Sequence, residues 1–162
     1  MSQYIHFFIR VNNTRVNNLF VPISTFPRDS AVYHVFSAAP YEKIEKLTLD
    51  DIKRAADALE NDCHYWDEQL QKNERRKNII ATFNNTAEEK LNAIEECEQE
   101  HQNLMQFADE AQYGLSFCEF LLDMLDEFED YTEHQKDKTD TYPELYYGVE
   151  IGYPTVDDIK ED

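Results

Sequence analysis

Glu98 and His101 lie three residues apart, the spacing that sets a carboxylate and an imidazole on one face of a helix. Pairs of this kind supply ligands in helical di-iron carboxylate proteins, which need two of them plus further glutamates projecting into one core. This chain has one. Glu60 and His64 form another acid and imidazole pair one turn apart. A fold-back at residue 85 would put His64 near position 106 and His101 near position 69, more than a helical turn from each other. The ordinary reading is that His101 closes a polar gap between packed helices and Glu98 faces water.

Nucleophilic chemistry has no better support. A Ser or Cys nucleophile needs a His to take its proton and a third group to orient that His. Cys63 adjoins His64 only in sequence, and helical neighbours point about 100° apart. The chain has no Gly-rich phosphate loop, no Gly-x-Ser-x-Gly elbow and no His-Glu-x-x-His motif. Carboxylates are so abundant that a catalytic pair of them would not stand out. No catalytic residue, metal ligand or cofactor is assigned, and the expectation is a protein that is not an enzyme. Cys63, Cys97 and Cys118 are an odd number at wide spacing, so a disulfide framework is not expected and each thiol reads as a small buried hydrophobe.

The charge pattern is more informative. The net charge is −19, and residues 87–135 hold fifteen acidic side chains against a single base, Lys90. Such a surface repels nucleic acid and membranes and attracts basic proteins. On a helix, residues three or four apart are about 5–6 Å from one another, comparable to the spacing of successive phosphates along a nucleic-acid strand. A helical rod carrying Glu88, Glu95, Glu96, Asp109, Glu110, Glu119, Asp123, Asp126, Glu127 and Asp130, with Tyr131 at its end, could therefore enter a Lys- and Arg-lined groove built for phosphates. These eleven residues are the candidate partner-binding set.

Two further groups bear on partners. Lys72, Arg75, Arg76 and Lys77 form a basic cluster, read as a solvated tip balancing acidic residues across the hairpin or contacting an acidic patch of a second copy. Tyr131, Tyr142, Tyr146, Tyr147 and Tyr153 crowd into the C-terminal part, where they suit either a protein interface or the packing of a small sheet.

Two heptad-patterned stretches must position these side chains. From Leu49 to Phe83 the stripe runs Leu49, Ile52, Ala56, Leu59, Cys63, Trp66 and Leu70, is interrupted by Asn73 and Lys77, and resumes at Ile80. From Ala87 to about Phe128 it runs Leu91, Ile94, Cys97, His101, Leu104, Ala108, Ala111, Leu115, Cys118, Leu122 and Leu125, with one shortened step at Cys97 that predicts local overwinding. Thr86 with Glu89 is a capping-box signature, and Thr48 with Asp51 a weaker one. The pattern predicts an antiparallel, coiled-coil-like hairpin turning at Asn84-Asn85-Thr86. Facing residue numbers would then sum to about 170, setting Leu59 against Ala111, Trp66 against Leu104 and Cys63 near Phe107. Gly114 lies inside the second helix, where glycine costs about 1 kcal/mol relative to alanine, so whether that helix is continuous there is left open.

On either side of the hairpin the chain reads as β structure. Gln3 to Val11 and Leu19 to Ser24 predict a β-hairpin, with Pro22 confining its second strand to a sheet edge. A short helix is expected from about Arg28 to Ser37, capped by Ser24 or Thr25, and Tyr41 to Leu47 reads as a strand or a lead-in turn. Thr132 to Thr141 is expected to be an exposed connection, Leu145 to Ile151 a terminal strand completing the sheet, and Val156 to Asp162 a fraying acidic tail.

The expected fold is α+β, a long antiparallel helical hairpin packed on a small antiparallel sheet made by the N-terminal β-hairpin and a C-terminal strand. It forms a single domain over 1–162: a β-hairpin and short helix in 1–47, the helical hairpin in 48–131, and a loop, strand and tail in 132–162. No apolar run approaches the roughly 18 residues of a membrane span and the N-terminus lacks signal-peptide character, so the cytoplasm is expected.

In size, acidity and want of catalytic motifs the chain is similar to small phage and mobile-element proteins that inhibit nucleic-acid enzymes by mimicking DNA, a similarity of bulk properties that rests on no motif. It implies an inhibitor or modulator of a basic nucleic-acid-binding protein, a nuclease or effector of a defence system of the anti-restriction or anti-CRISPR kind, with no direct binding of nucleic acid. The rival readings are an assembly or adaptor protein that forms a homodimer through its hairpin, and a helical metal-binding protein or enzyme.

Overall fold

Thr48 and Asp51 start the first long helix by capping each other. Asp51 N donates to Thr48 Oγ1 at 3.2 Å while Thr48 N donates to Asp51 Oδ2 at 3.0 Å, a complete capping box at the place where the sequence signal was the weaker. At the start of the second long helix Glu89 N donates to Thr86 Oγ1 at 3.2 Å. The computed structural model describes residues 3–12, 19–36, 38–83, 85–134 and 141–151. In chain order these form β1 (Tyr4–Asn12), β2 (Leu19–Pro27), α1 (Ala31–Val35), β3 (Glu45–Lys46), α2 (Leu49–Thr82), α3 (Ala87–His134) and β4 (Thr141–Val149). The long helices form the expected antiparallel hairpin, and their lower parts pack on a four-stranded antiparallel sheet ordered β2-β1-β4-β3.

α3 runs unbroken through Gly114, which settles the point the sequence left open. A Cβ added there would stand 3.1 Å from Leu59 Cδ2 and 3.2 Å from Val32 Cγ2, so the missing side chain lets α1 and α2 approach α3 closely. Packing of these fully buried side chains offsets the intrinsic helix cost of glycine, about 1 kcal/mol relative to alanine.

The hairpin register also departs from expectation. Trp66 stacks on Phe107 rather than facing Leu104, with centroids 4.8 Å apart, and Leu59 lies against Gly114 rather than Ala111. Cys63 Sγ lies 4.0 Å from Gln112 Oε1 and not beside Phe107. The cause is the tilt of every helical side chain toward its own N-terminus by about one residue. In an antiparallel pair these tilts add, shifting each partner about two to three positions further along the second helix.

β1 lies between β2 and β4. Pro22 is on the outer strand β2, opposite Phe8, where the pairing slips after Phe7, a position at which a residue without an N–H is tolerated. The inner face presents Ile5, Phe7, Leu145, Tyr147 and Val149 to Val32, Phe36, Ile52, Leu59, Phe117 and Leu121. Phe7 sits at the centre, edge-on to Phe36 at 5.1 Å and Phe117 at 4.9 Å. On the outer face, Phe8, Phe20, Ile44, Tyr146 and Ile151 make a second buried cluster.

Several boundaries move. The short helix covers Ala31–Val35 and is capped by Ser30, whose Oγ accepts from Tyr33 N at 3.1 Å; Ser24 and Thr25 instead belong to β2, which runs on to Pro27. β4 begins at Thr141 and ends at Val149, and residues 132–134 continue α3 instead of forming an exposed connection. The tail from Val156 to Asp162 lies outside the described residues. Among the described residues no helix is long and apolar enough to cross a membrane.

Cysteine reactivity tests the packing. Burial, with Glu119 nearby, pushes the Cys118 thiol up to about 12, and Cys97 is fully buried. Cys63 is partly exposed, its thiol raised by burial and then by Asp62 and Glu60. At pH 8 a thiol-exchange reagent should modify Cys63 slowly and reach Cys97 and Cys118 only on unfolding. Rapid labelling of Cys118 in the folded protein would contradict this packing.

Candidate protein-binding surface

Near the sheet, α3 buries Phe117, Cys118 and Leu121 on one side, which leaves the opposite side to water. At about 100° per residue, Glu119, Asp123, Asp126, Glu127 and Asp130 fall within a sector of roughly 100° centred on that outward side. All five are exposed. The ion pairs among the described residues are Arg10–Glu144, Lys46–Glu144, His64–Glu60 and Lys77–Glu98, so none of the five carboxylates has a pairing cation there. They form a ladder about three turns long that no cation of the described residues neutralises.

The rest of the candidate set separates from this ladder. Glu88, Glu95, Glu96 and Asp109 are exposed, but they spread over a wider sector because the outer half of α3 buries only the narrow stripe of Cys97, Leu104 and Ala111. Glu110 has a structural role: it is half-buried and its Oε1 accepts from Ala31 N at 2.7 Å, holding the start of α1 against α3. Tyr131 belongs to α3, and its side chain lies outside those described. Substituting Gln for Glu110 should therefore cost about 1 kcal/mol of stability, read by denaturant unfolding, without weakening partner binding.

Two of the clustered tyrosines are taken up by the sheet. Tyr146 and Tyr147 are buried in the sheet, where Tyr147 Oη donates to Glu45 Oε1 at 3.2 Å; burial, then Asp51 and Glu45, raises the titration of that hydroxyl. Tyr142 and Tyr153 have no described side chain. Tyr113 and Phe120, 65% and 48% exposed, flank the carboxylate ladder on the side facing β2. Their seven-residue separation was the available signal, since it places both on one helix face off the seam. Higher on the arm, Tyr65 and Trp66 meet edge to face and Trp66 stacks on Phe107, with Tyr65 and Phe107 about half exposed.

One polar layer interrupts the arm. Asn73, not His101, fills the gap in the seam: it is 8% exposed and its Nδ2 donates to the Cys97 carbonyl at 2.8 Å, while His101 lies at the surface. Among the described residues, Asn73 Oδ1 has no hydrogen-bond partner. A cleft of about 260 Å³ opens beside it, walled by Glu74, Lys77, Cys97, Glu98, His101 and Gln102, and Lys77 Nζ stands 3.5 Å from Glu98 Oε1. Glu60 and His64 pair with each other on the surface of α2, and among the described residues no three His, Cys, Asp or Glu side chains are placed to hold a metal ion. Because a buried acceptor without a donor is destabilising, Asn73→Leu should raise stability by about 1 kcal/mol, measured by denaturant unfolding.

Architecture and surface together define an acidic two-helix arm projecting from a small sheet. No family model, curated protein or solved structure matches the chain.

Proposed function

We propose that the protein is a non-enzymatic inhibitor or modulator that places its acidic helix in the phosphate-binding groove of a basic nuclease or effector protein, acting as an anti-restriction or anti-CRISPR type of DNA mimic. The observation that carries this reading is the ladder Glu119, Asp123, Asp126, Glu127 and Asp130 on one outward face of an unbroken helix. Like charges at i, i+4, as in Glu119 with Asp123, Asp123 with Glu127 and Asp126 with Asp130, each destabilise a helix by about 0.2–0.5 kcal/mol. Asp130 also lies near the negative C-terminal end of the α3 macrodipole. No lysine or arginine is interleaved between Glu119 and Asp130 to relieve this repulsion, and a cationic groove would relieve it. Tyr113 and Phe120 beside the ladder add apolar contact area at low entropic cost.

The test is competition. A captured basic partner should bind either duplex DNA or this protein, and a stable ternary complex would reject the mimicry reading. The half-exposed Tyr65 and Phe107, packed on the partly buried Trp66, favour a second reading, self-assembly through the arm. Light scattering separates the two: a dimer that persists in high salt supports assembly, and a monomer supports mimicry.

A further inference from the structure

Asn73 is the place in the arm where a buried side-chain atom of the described residues lacks a hydrogen-bond partner, and it lies against an open cleft. Its amide is more than nine-tenths buried and already uses Nδ2 on the Cys97 carbonyl, so what remains unmet is an acceptor. The cleft walls add more acceptors, the Glu74 and Glu98 carboxylates and the Gln102 amide oxygen. The natural complement is therefore a cation rich in N–H donors.

The chain supplies one cation to this cleft, Lys77, while Lys72 and Arg76 line a smaller cleft that Asn73 also borders and leave its oxygen unmet. Lys77 Nζ is drawn to Glu98, yet it leaves Asn73 Oδ1 unpartnered. An ammonium is a compact point charge, whereas a guanidinium presents five N–H donors in a flat fork and can bridge a carboxylate and a neighbouring amide oxygen. A volume of about 260 Å³ accommodates such a group. Oδ1 has no solvent contact, so the ligand must part the walls to reach it. Those walls include the exposed Glu98, His101 and Gln102 and the half-exposed Lys77, which move without disturbing the backbone.

We propose that the cleft beside Asn73 is a guanidinium site that takes an arginine side chain of the basic partner, displacing Lys77 from Glu98. The inference rests on the reading of the protein as a receptor for a basic protein and adds a second contact point. The cleft lies about 35 Å along α3 from the centre of the carboxylate ladder at 1.5 Å per residue, so a partner engaging both would follow the length of the arm.

The experiment titrates isotopically labelled full-length protein with N-acetyl-arginine amide, with N-acetyl-lysine amide as the matched cation, and follows the Asn73 and Gln102 side-chain amide resonances. The arginine compound should saturate these shifts at a concentration about tenfold lower than the lysine compound. Asn73→Leu, which removes the acceptor without introducing a cavity, should weaken the response of Gln102 about tenfold. Lys77→Gln, which removes the resident cation, should strengthen the response several-fold. Equal responses to both compounds, or an Asn73 amide indifferent to both, would overturn the proposal and leave Asn73 as a register-setting residue alone. Reversing charges on the ladder should leave this titration unchanged, so failure at the cleft is distinguishable from failure of the ladder to bind its partner.

Discussion

Gly148→Ala is expected to destabilise the protein by about 3 kcal/mol or more, lowering its thermal midpoint by roughly 6–12 °C. Gly148 is in β4, and a Cβ built on it would stand 2.0 Å from the backbone carbonyl oxygen of Lys43. No rotamer change relieves that overlap, because both clashing atoms are fixed by main chain. The segment around Lys43 is tied to β4 on both sides: Val149 N donates to the Pro40 carbonyl, Glu42 N to the Val149 carbonyl and Leu47 N to the Leu145 carbonyl, each at 2.8 Å. Glu42, at φ 59°, turns the chain within this crossing. Moving the segment away would uncover Ile44, fully buried in the outer-face cluster with Phe8, Phe20, Tyr146 and Ile151.

Gly114→Ala is the control. Its new methyl would meet only the Leu59 and Val32 side chains, at 3.1–3.2 Å. The gain in helix propensity of about 1 kcal/mol roughly offsets that crowding, so the midpoint should change little. A Gly148→Ala protein as stable as the parent would show that the chain around Lys43 does not pass over β4 as described.

The second large effect concerns binding. Replacing Asp123, Glu127 and Asp130 together by lysine should weaken association with a basic partner on the order of 10²–10³-fold, from about 1–1.4 kcal/mol per reversed charge. The same substitutions should leave the thermal midpoint unchanged or slightly raised. The three side chains are exposed, and the reversals remove like-charge repulsion along α3. Calorimetric binding alongside a melting curve therefore separates loss of recognition from loss of fold. Unaltered affinity in the triple variant would remove the ladder from the interface.

The long hairpin was legible because its signal is periodic and redundant: many apolar positions in each stretch recur in steps of three and four, and the Thr48 and Thr86 caps mark the starts. The pairing of strands was legible for a similar reason, since an N-terminal ribbon needs a third strand and residues 145–151 had the composition for one, although the strand itself covers Thr141–Val149. What escaped depended on direction or proximity in three dimensions. The shift from Trp66 facing Leu104 to Trp66 stacked on Phe107 comes from side-chain tilt, which residue counting ignores. The continuity of α3 at Gly114 depends on Val32, a residue more than eighty positions away. Glu110 looked like one more surface carboxylate because nothing in its neighbourhood on the chain announces that α1 will bring the Ala31 amide to it. Asn73 was visible as a break in the stripe, but the identity of the polar gap-filler was misassigned to His101 because both occupy seam positions and only packing decides which is buried.

The central claim, that the α3 carboxylate ladder occupies a partner's phosphate groove, is tested most directly by measuring a basic partner's affinity for this protein at 50 mM and 200 mM salt in the presence and absence of duplex DNA. The account predicts that DNA and protein exclude each other and that affinity falls at least tenfold over that range, as expected when several charge pairs form in one groove. Salt-independent binding, or simultaneous binding of DNA and protein, would contradict it.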